Sequence, residues 1–319
     1  MNGRWKGKRV GVLLGGVSRE REVSLRSGAA MATALERCGY AVTRIDINST
    51  MVEQLLRAQI DVAVIALHGA YGEDGSLQGV LECLRIPYTS AGVVGSSVAM
   101  DKVLCKHIAR NIGIPVPFHQ VFYVTTDTIE KLNANGVDFP VVVKPVREGS
   151  TIGVSIVRTA AELPQAIQMA AGSDTKLVIE EFVAGAEVTV GWVCGQALTP
   201  LEIVPKSGFY DYHSKYTKGA TEYIVPARIP SATTTLLKEW TDRLCRELEC
   251  RGMARADFMV RADGSAAFIE LNTVPGMTET SLVPKAAAHD GITFDALCER
   301  VLEDANVSIV AKGQPNNAE

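Results

Sequence analysis

The pattern of apolar and polar positions in the first part of the chain alternates between buried strands and amphipathic helices. The predicted strands are 8–16, 41–47 and 61–67, and the predicted helices are 23–37 and 51–58. In the first helix, apolar residues recur every three or four positions, which places them on one face. The third strand, DVAVIAL, is almost entirely apolar, as expected inside a parallel sheet. We therefore predict a parallel sheet covered by helices, about the size of one domain.

Beyond residue 98, strands and helices follow one another without that regular alternation. The predicted helices are 99–111, 127–133, 160–171, 231–249 and 293–304, and the predicted strands are 120–124, 139–144, 176–182 and 187–192. The stretch 205–222 has no clear period, and an irregular segment of this length inside a compact domain is often a functional lid. The polar tail that follows the last helix is expected to be disordered.

The most informative stretch is a hairpin within residues 252–282. Two alternating apolar segments flank Asp263-Gly264, a dipeptide suited to a two-residue turn with positive φ at both positions. A turn there fixes the register along both strands. The resulting cross-strand pairs are Ala262–Ser265, Asp257–Glu270 and Arg255–Asn272. The opposite face is then wholly apolar and belongs to the core: Ala256, Phe258, Val260, Ala267, Ile269 and Leu271.

Two carboxylates that face each other on a sheet repel, so Asp257 and Glu270 require compensation. One interpretation is that Arg255 simply pairs with one or both acids. The other adds Asn272, which completes a set of oxygen donors that suits Mg²⁺ or Mn²⁺ and, through the ion, nucleotide phosphates. We favour the metal site. The breaker-rich loop 273–278 that follows offers backbone N–H groups to a substrate.

Two polar loops follow strands of the predicted parallel sheet, and such sheets bind ligands beyond the carboxyl ends of their strands. The glycines of the loop 15–20 do not follow the G-x-G-x-x-G order, and no G-x-x-x-x-G-K-[ST] motif is present. A dinucleotide fold and a P-loop are therefore not predicted. The second loop, 68–75, contains His68, Glu73 and Asp74, which could be metal ligands. A single histidine in a glycine-rich loop is more often a hydrogen-bonding residue than a metal ligand, so we predict that His68 contacts substrate.

Lys144 ends a buried strand, where an exposed surface lysine is not expected. The glycine- and hydroxyl-containing loop 147–153 follows it, and its backbone N–H groups could fold over phosphates. The alternative is an ordinary hairpin loop, but the lysine and the loop together favour phosphate binding. Glu180 and Glu187 lie among apolar residues. They either belong to a sheet edge or accept hydrogen bonds from a ribose and an adenine amine.

Composition and charge narrow the class of protein. The chain has 319 residues, of which 47% are hydrophobic, 21% charged and 6% aromatic, and a net charge of −4. This balance is that of a globular protein of two or three lobes and gives no support for bulk binding to nucleic acid or to anionic membranes. No signal peptide or membrane span is predicted. The seven cysteines form no C-x-x-C pair, so we expect neither a zinc site nor a disulfide framework, but a reduced, cytoplasmic protein.

Six segments form a combined pattern in chain order. They are GGVSREREVSLRSG (15–28), LHGAYGEDGSLQG (67–79), MDK (100–102), VVKPVREGSTIGVS (142–155), FYDYHSKY (209–216) and RADFM with FIELNTVPGMTETSLVP. Together they resemble D-alanine–D-alanine ligases of the ATP-grasp superfamily, over about residues 10–304.

The resemblance implies an α/β chain with the ATP-grasp fold, in which an N-terminal parallel α/β domain precedes two α+β lobes that clamp ATP. The implied division is 1–98 for the N-terminal substrate domain, 99–185 for the central domain, 186–306 for the C-terminal metal-binding domain and 307–319 for the tail. It also implies ATP-dependent ligation of two D-alanines through a D-alanyl phosphate for peptidoglycan synthesis. ATP, two Mg²⁺ or Mn²⁺ ions, a homodimer and a cytoplasmic location belong to the same expectation.

Site residues carry over position by position as implications of the resemblance. Contacts to ATP are implied for Lys102, Lys144, Glu180 and Glu187, and metal ligation for Asp257, Glu270 and Asn272. A hydrogen-bonded trio that positions the first D-alanine is implied for Glu20, Ser150 and Tyr216. Oxyanion stabilisation is implied for Arg255 and the backbone N–H of Gly276. The second D-alanine is implied to lie near Lys215, Ser281 and Leu282.

Three alternatives remain at this point. The first is a related ligase that makes D-alanyl-D-lactate or D-alanyl-D-serine, and Tyr216 favours an amine acceptor because lactate-using members typically carry Phe there. The second is a non-catalytic ATP-grasp fold that only senses nucleotide. The combination of Arg255, Asp257, Glu270 and Asn272 argues against that sensor, because nucleotide binding alone does not require all four. The third, a hydride-transferring Rossmann enzyme, is disfavoured by the failed glycine pattern.

Overall fold

Three parallel strands form the first sheet of the computed structural model, which describes residues 3–129, 132, 138–206, 217 and 219–308. The strands are β1 (Arg9–Gly15), β2 (Ala41–Ile47) and β3 (Val62–Ile65), in the order β2-β1-β3. Helices α1 (Arg21–Arg37) and α2 (Met51–Ala58) lie where the apolar spacing predicted them. The predicted parallel sheet is confirmed. A further helix, α3 (Ser76–Leu84), follows the loop 68–75 and was not predicted.

The single helix predicted over 99–111 is wrong, because two helices meet there. Helix α4 (Val93–Met100) ends before Asp101, and α5 (Lys102–Asn111) begins after it. The Asp101 side chain accepts hydrogen bonds from the backbone N–H groups of Val103 and Leu104, at 3.1 and 3.0 Å. This N-cap satisfies two of the donors that a helix start leaves open. It fixes the first turn of α5, which carries Lys102.

Four antiparallel strands form the second sheet, in the order β4-β7-β5-β6. They are β4 (His119–Tyr123), β5 (Val141–Pro145), β6 (Ser155–Val157) and β7 (Lys176–Glu181), and α6 (Leu163–Ala171) packs on them. The short strand β6 was not predicted. The sheet has an apolar core of its own, which includes Phe122, Val143 and Ile179. Residues 130, 131 and 133 of the helix predicted over 127–133 lie outside the described residues.

The third sheet is antiparallel and follows the order β11-β10-β8-β12-β13, with β9 paired to β8. Its strands are β8 (Ala186–Val193), β9 (Gln196–Ala197), β10 (Leu201–Pro205), β11 (Thr221–Ile224), β12 (Met253–Val260) and β13 (Ala266–Asn272). The helices that follow or cover it are α7 (Ser231–Glu247), α8 (Leu282–His289) and α9 (Phe294–Glu303). The predicted lid, 205–222, lies between β10 and β11, and most of it falls outside the described residues, as does the tail from 309. No helix of the described chain is long and apolar enough to cross a membrane.

At the end far from its turn, the β12–β13 hairpin has the predicted cross-strand partners. Asp257 lies opposite Glu270, and Arg255 lies opposite Asn272. Both pairs are confirmed. Because side chains alternate between the faces of a sheet, these four residues share one face.

The predicted two-residue turn is wrong, and a second irregularity cancels its effect. The loop has three residues, since the N–H of Arg261 donates to the carbonyl of Ser265 at 2.8 Å, and of the predicted pair only Gly264 has a positive φ, +83°. A longer loop shifts the register by one residue. The register shifts back at a bulge, because Phe258 faces Phe268 and Ile269 has no partner opposite it.

The bulge changes which side chains enter the core. Ala266 and Phe268 join the apolar cluster under the sheet, in place of the predicted Ala267 and Ile269. Phe268 is fully buried and packs edge-on against Phe258, with ring centroids 5.7 Å apart. Ile269 is half-buried and faces the large cleft beside the third sheet. The one-residue register shift therefore places the Ile269 side chain in the cleft and not in the core.

One apolar core joins the beginning and the end of the described chain. Val10 and Val12 of β1 and Leu35 of α1 belong to the same buried cluster as Leu297 and Val301 of α9. Arg37 of α1 forms an ion pair with Asp295 of α9. The parallel sheet and the last helices therefore pack as one unit.

Candidate active site

Two cavities meet at the end of the β12–β13 hairpin. The first, about 420 Å³, lies between the second and third sheets and is lined by these predicted residues: Lys102, Lys144, Glu180, Glu187, Arg255, Asp257, Glu270 and Leu282. The second, about 480 Å³, lies toward the first sheet and is lined by these: Glu20, His68, Ser150, Arg255, Glu270, Asn272, Gly276, Ser281 and Leu282. Arg255, Glu270 and Leu282 line both, so the cavities share a wall. Lys215 and Tyr216 lie outside the described residues.

Glu180 is buried in the first cavity between two lysines. Its Oε1 lies 2.6 Å from the Nζ of Lys144, and its Oε2 lies 3.0 Å from the Nζ of Lys106. Burial acts to raise the pKa of Glu180, but the two ammonium groups outweigh it and hold that pKa well below its ordinary value. The carboxylate is therefore ionised at neutral pH.

Lys102 reaches the cleft from the first turn of α5. Its Nζ donates to the carbonyl of Glu148 at 2.6 Å and lies 3.2 Å from the Oε2 of Glu270. Burial acts to lower the pKa of Lys102, but Glu270 outweighs burial and the pKa lies above its ordinary value. This lysine thus links the loop 147–153 to the β12–β13 hairpin.

The acids of the hairpin have protein partners. Arg255 binds Asp257 with two nitrogens, Nε to Oδ1 at 2.9 Å and Nη2 to Oδ2 at 2.8 Å. The hydroxyl of Thr189 donates to the same Asp257 Oδ1 at 2.6 Å. Asn272 Oδ1 accepts from the N–H of Val274 at 2.9 Å. The ion pair that the first interpretation predicted between Arg255 and an acid is confirmed.

The same residues fit a divalent cation by their chemistry. Asp257, Glu270 and Asn272 present oxygen donors from one face of two adjacent strands, as hard cations prefer. Within the described residues no group of three or more His, Cys, Asp or Glu side chains is placed to hold a metal ion. The candidate set therefore depends on the amide of Asn272 and on oxygens that Arg255 and Lys102 now contact.

The loop 147–153 reaches over to Glu20, the residue that precedes helix α1. The hydroxyl of Ser150 donates a short hydrogen bond to Oε1 of Glu20. Gly149 permits this approach, because a Cβ there would lie 2.9 Å from Oε2 of Glu20. Ser150 and Thr151 have φ of +50° and +62°, a backbone conformation that costs energy for residues other than glycine. Two members of the predicted trio are thus in contact.

His68 and Glu73 form the buried floor of the second cavity. The Nε2 of His68 lies 3.4 Å from the hydroxyl of Ser27, and burial lowers the pKa of His68, so the ring is neutral at pH 7. Glu73 accepts from the N–H of Gly69 at 2.5 Å through Oε2, and its buried Oε1 has no hydrogen-bond partner among the described residues. Burial, reinforced by Glu20, raises the pKa of Glu73 to about 8.

The opposite wall of the second cavity contains the start of helix α8. Ser281 is its N-cap, and Leu282 and Val283 line the cavity beside Gly276. The N–H groups of a helix start attract carboxylates, since they lack partners within the helix and carry the positive end of its dipole. The hydroxyl of Ser281 accepts from the N–H of Thr278 at 3.1 Å, which fixes the approach to the helix.

Sequence reasoning missed two residues of this region. Lys106 was not singled out, although it follows Lys102 by four positions and so lies on the same side of α5. Glu73 was considered only as a metal ligand. Its burial beneath the cavity depends on the loop 68–75, whose conformation has no periodic signal in the sequence.

Two family models match this chain. The family "D-ala D-ala ligase C-terminus" matches residues 108–303, and "D-ala D-ala ligase N-terminus" matches residues 49–91. A protein named D-alanine–D-alanine ligase from Syntrophotalea carbinolica is 49% identical over 94% of this chain and 97% of its own length. One of the same name from Anaeromyxobacter dehalogenans is 47% identical over 94% of this chain and 98% of its own.

Solved structures show the same similarity in three dimensions. A D-alanine–D-alanine ligase from Bacillus anthracis, complexed with ATP, superposes with a TM-score of 0.81 at 33% identity, covering 93% of this chain and 97% of that one. The VanG D-Ala:D-Ser ligase from Enterococcus faecalis superposes with a TM-score of 0.81 at 27% identity, covering 92% and 98%. The similarity extends over nearly all of each chain, so the fold is the ATP-grasp fold of these ligases.

Proposed function

The chain belongs to the D-alanine–D-alanine ligase family, and we propose that its two joined cavities divide one ligation between them. The enzyme uses ATP to join two D-alanines into D-alanyl-D-alanine for peptidoglycan synthesis. A carboxylate is a poor acyl donor, so a carboxylate oxygen of the first D-alanine takes the γ-phosphoryl group and ADP leaves. The amine of the second D-alanine then attacks the acyl carbon, loses a proton, and phosphate departs with the transferred oxygen.

In this proposal ATP occupies the first cavity, and its phosphates lie toward the wall that both cavities share. Lys102, Lys144 and the loop 147–153 contact the phosphates, while Glu180 and Glu187 contact the adenine amine and the ribose. Phosphoryl transfer depends mainly on positioning and charge neutralisation, which two lysines and backbone N–H groups supply. The observation that carries this division is that Arg255 and Glu270 line both cavities, at the point where phosphoryl donor and acceptor have to meet.

Both amino acids occupy the second cavity. Glu20, with Ser150, accepts from the ammonium group of the first D-alanine, and Tyr216 completes the trio. The start of α8, through Ser281 and Leu282, binds the carboxylate of the second D-alanine together with Lys215. His68 contacts substrate from the cavity floor. Arg255 and the N–H of Gly276 donate to the oxyanion that forms when the amine attacks.

Asp257, Glu270 and Asn272 are proposed to hold two Mg²⁺ or Mn²⁺ ions. When bound, such ions neutralise phosphate charge and polarise the transferring group. Asp257, Glu270 and Asn272 lie at the end of the cleft where the phosphates are proposed to bind. If Asp257 binds a metal ion, its ion pair with Arg255 breaks, and the Arg255 guanidinium is then free to stabilise the oxyanion. The ion pair and the metal site would therefore involve the same residues at different stages of the reaction.

We further propose the domain division 1–98, 99–185 and 186–306, a homodimer in solution and a cytoplasmic place of action. The division is supported by the three sheets, which lie within 9–65, 119–181 and 186–272. Size-exclusion chromatography with light scattering at micromolar concentration tests the dimer. A mass equal to one chain would reject it.

The function is tested by mass spectrometry of the products formed from ATP, Mg²⁺ and D-alanine labelled with ¹⁸O in its carboxylate. We expect D-alanyl-D-alanine, ADP and one ¹⁸O atom in the released phosphate, because the acyl phosphate transfers that oxygen. Dipeptide without label in phosphate would reject the acyl-phosphate route, and no dipeptide would support a nucleotide sensor. Equal amounts of D-alanine, D-serine and D-lactate in one reaction identify the preferred acceptor.

Glu270→Gln tests the metal assignment. The substitution keeps the size of the side chain and removes its charge, so turnover at saturating ATP should fall at least about a hundredfold, since metal polarisation is worth several kcal/mol. The melting temperature of the nucleotide-free protein should change little. Glu202→Gln is the matched control, because Glu202 lines the same cavity and binds Arg228 instead. Unchanged turnover of Glu270→Gln at limiting Mg²⁺ would reject the assignment.

A further inference from the structure

Lys106 is a fully buried lysine that the proposed mechanism leaves without a role. Its Nζ lies 3.0 Å from Oε2 of Glu180 and donates to the carbonyl of Ile269 at 2.6 Å. Its side chain is 0% exposed and is not part of the cavity lining, whereas Lys144 is 7% exposed and lines the first cavity. Of these two lysines, Lys144 is the one that can reach a ligand in the cleft.

The charges of this cluster do not cancel. Glu180 carries one negative charge and meets one ammonium group on each oxygen. A single Lys–Glu pair is neutral overall and attracts a phosphate weakly, whereas two lysines and one glutamate leave a net positive charge. A buried carboxylate that loses its only cation is also strongly destabilised, which would oppose any movement of Lys144 toward phosphate.

We propose that Lys106 is a positioning residue for ATP. It keeps its ion pair with Glu180 when ATP binds, so that Lys144 can leave Glu180 and bind phosphate. The proposal rests on the assignment of ATP to the first cavity. Lys106 keeps Oε2 of Glu180 paired throughout, and the departure of Lys144 releases Oε1. That oxygen then accepts from the adenine amine. The arrangement explains how one carboxylate binds two lysines and still contacts the base.

Lys106→Met tests the proposal by removing the charge and keeping the length of the side chain. We expect the dissociation constant of the Mg²⁺ complex of AMP-PNP, measured by calorimetry, to rise at least about tenfold, because Lys144 then leaves a buried carboxylate unpaired. The KM for ATP should rise similarly, and the KM for D-alanine should stay within about twofold. Affinity for AMP-PNP equal to that of the wild type would overturn the proposal.

Glu180→Gln provides the second background for a double-mutant cycle. A neutral amide needs no permanent cation, so Lys106→Met should change the AMP-PNP affinity of Glu180→Gln by less than about twofold. If Lys106 only fills space, the substitution costs the same factor in both backgrounds, and the proposal fails. Lys176→Met is the matched control, because Lys176 forms another largely buried ion pair, 2.8 Å from Asp101, outside the cavities. It should lower the melting temperature comparably and leave AMP-PNP affinity unchanged.

A crystal structure of the wild-type protein with Mg²⁺ and ADP decides the question even if Lys106→Met does not fold. We expect Lys106 to remain within hydrogen-bonding distance of Glu180 while the Nζ of Lys144 contacts phosphate. Lys144 still bound to Glu180 with nucleotide present would overturn the proposal. Failure of the wild type to bind AMP-PNP at all would instead overturn the assignment of ATP to the cleft.

Discussion

Glu73 shows how burial at one residue sets a protonation state. Its carboxyl group lies under the second cavity, near Glu20, and its pKa is raised to about 8 first by burial and then by that neighbouring carboxylate. At neutral pH the group is therefore mainly protonated and can donate a hydrogen bond from its buried Oε1. A neutral floor avoids a second negative charge beside Glu20, which is proposed to bind the ammonium group of the first D-alanine.

The raised pKa of Glu73 predicts a pH-dependent stability. Between its ordinary value, 4.5, and about 8, the folded protein holds a proton that the unfolded chain releases. The free energy of unfolding therefore falls as pH rises through this window and levels off above it. Glu73→Gln removes this loss. Between pH 5 and pH 8, the free energy of unfolding of the variant should therefore rise by roughly 1–4 kcal/mol relative to that of the wild type.

Urea unfolding at several pH values measures the stability difference for Glu73→Gln. Glu53→Gln on the exposed face of α2 is the control and should give a difference that does not change with pH. Parallel curves for wild type and Glu73→Gln would show that the carboxyl group titrates normally.

At the scale of the element, the β12–β13 hairpin shows how a local irregularity assigns side chains to opposite faces. The bulge at Ile269 points Phe268 into the core and Ile269 into the first cavity. A regular hairpin with a two-residue turn would have done the reverse. Lys106 also depends on the bulge, because it donates to the carbonyl of Ile269.

A pair of alanine substitutions tests the bulge. Phe268→Ala should cost about 3–5 kcal/mol in the free energy of unfolding, because it empties a fully buried ring position. Ile269→Ala should cost clearly less stability and should instead raise the KM for ATP. Thermal unfolding and steady-state kinetics on both variants give the comparison. The opposite ranking would mean that the register carries no bulge.

The hairpin also shows what the sequence could predict and why the rest escaped it. The pairs Asp257–Glu270 and Arg255–Asn272 follow from alternation and one turn, and both are present. The loop length and the bulge leave no periodic signal, and their effects cancel at the site, so the predicted pairs were correct although the turn was wrong. Lys106 needed a different kind of information, since its partner Glu180 lies on another element.

Across the whole molecule, the apolar cores do not coincide with the individual sheets. The second sheet has a core of its own, whereas one face of the first sheet shares a core with α8 and α9 and its other face packs on α2 and α3. The hydroxyl of Tyr40, the residue before β2, lies 2.9 Å from Oε1 of Glu299 and 2.8 Å from Oε1 of Glu303, both on α9. We infer that the first sheet and the last helices form one cooperative unit that is separate from the second sheet.

Leu302→Ala tests this grouping, because Leu302 of α9 is fully buried in the shared core. The substitution should destabilise that core by about 2–5 kcal/mol. Hydrogen exchange followed by mass spectrometry should then show faster exchange in β1 and α1, far away in sequence, and little change in β4 and β7. Equal acceleration in both sheets would contradict separate units. Ile179→Ala in the second sheet is the reciprocal variant.

The shared core also has a consequence for how the chain is made. Val10 and Val301 belong to one apolar cluster, and at ribosomal rates of about 5–20 residues per second roughly 15–60 s separate their synthesis. During that interval β1 and α1 have left the ribosome, but the helix that covers them has not. The nascent chain therefore exposes an apolar surface, while the second sheet, whose core is contiguous, can already fold. Early binding by a chaperone is expected at α1 and β1 rather than at the centre of the chain.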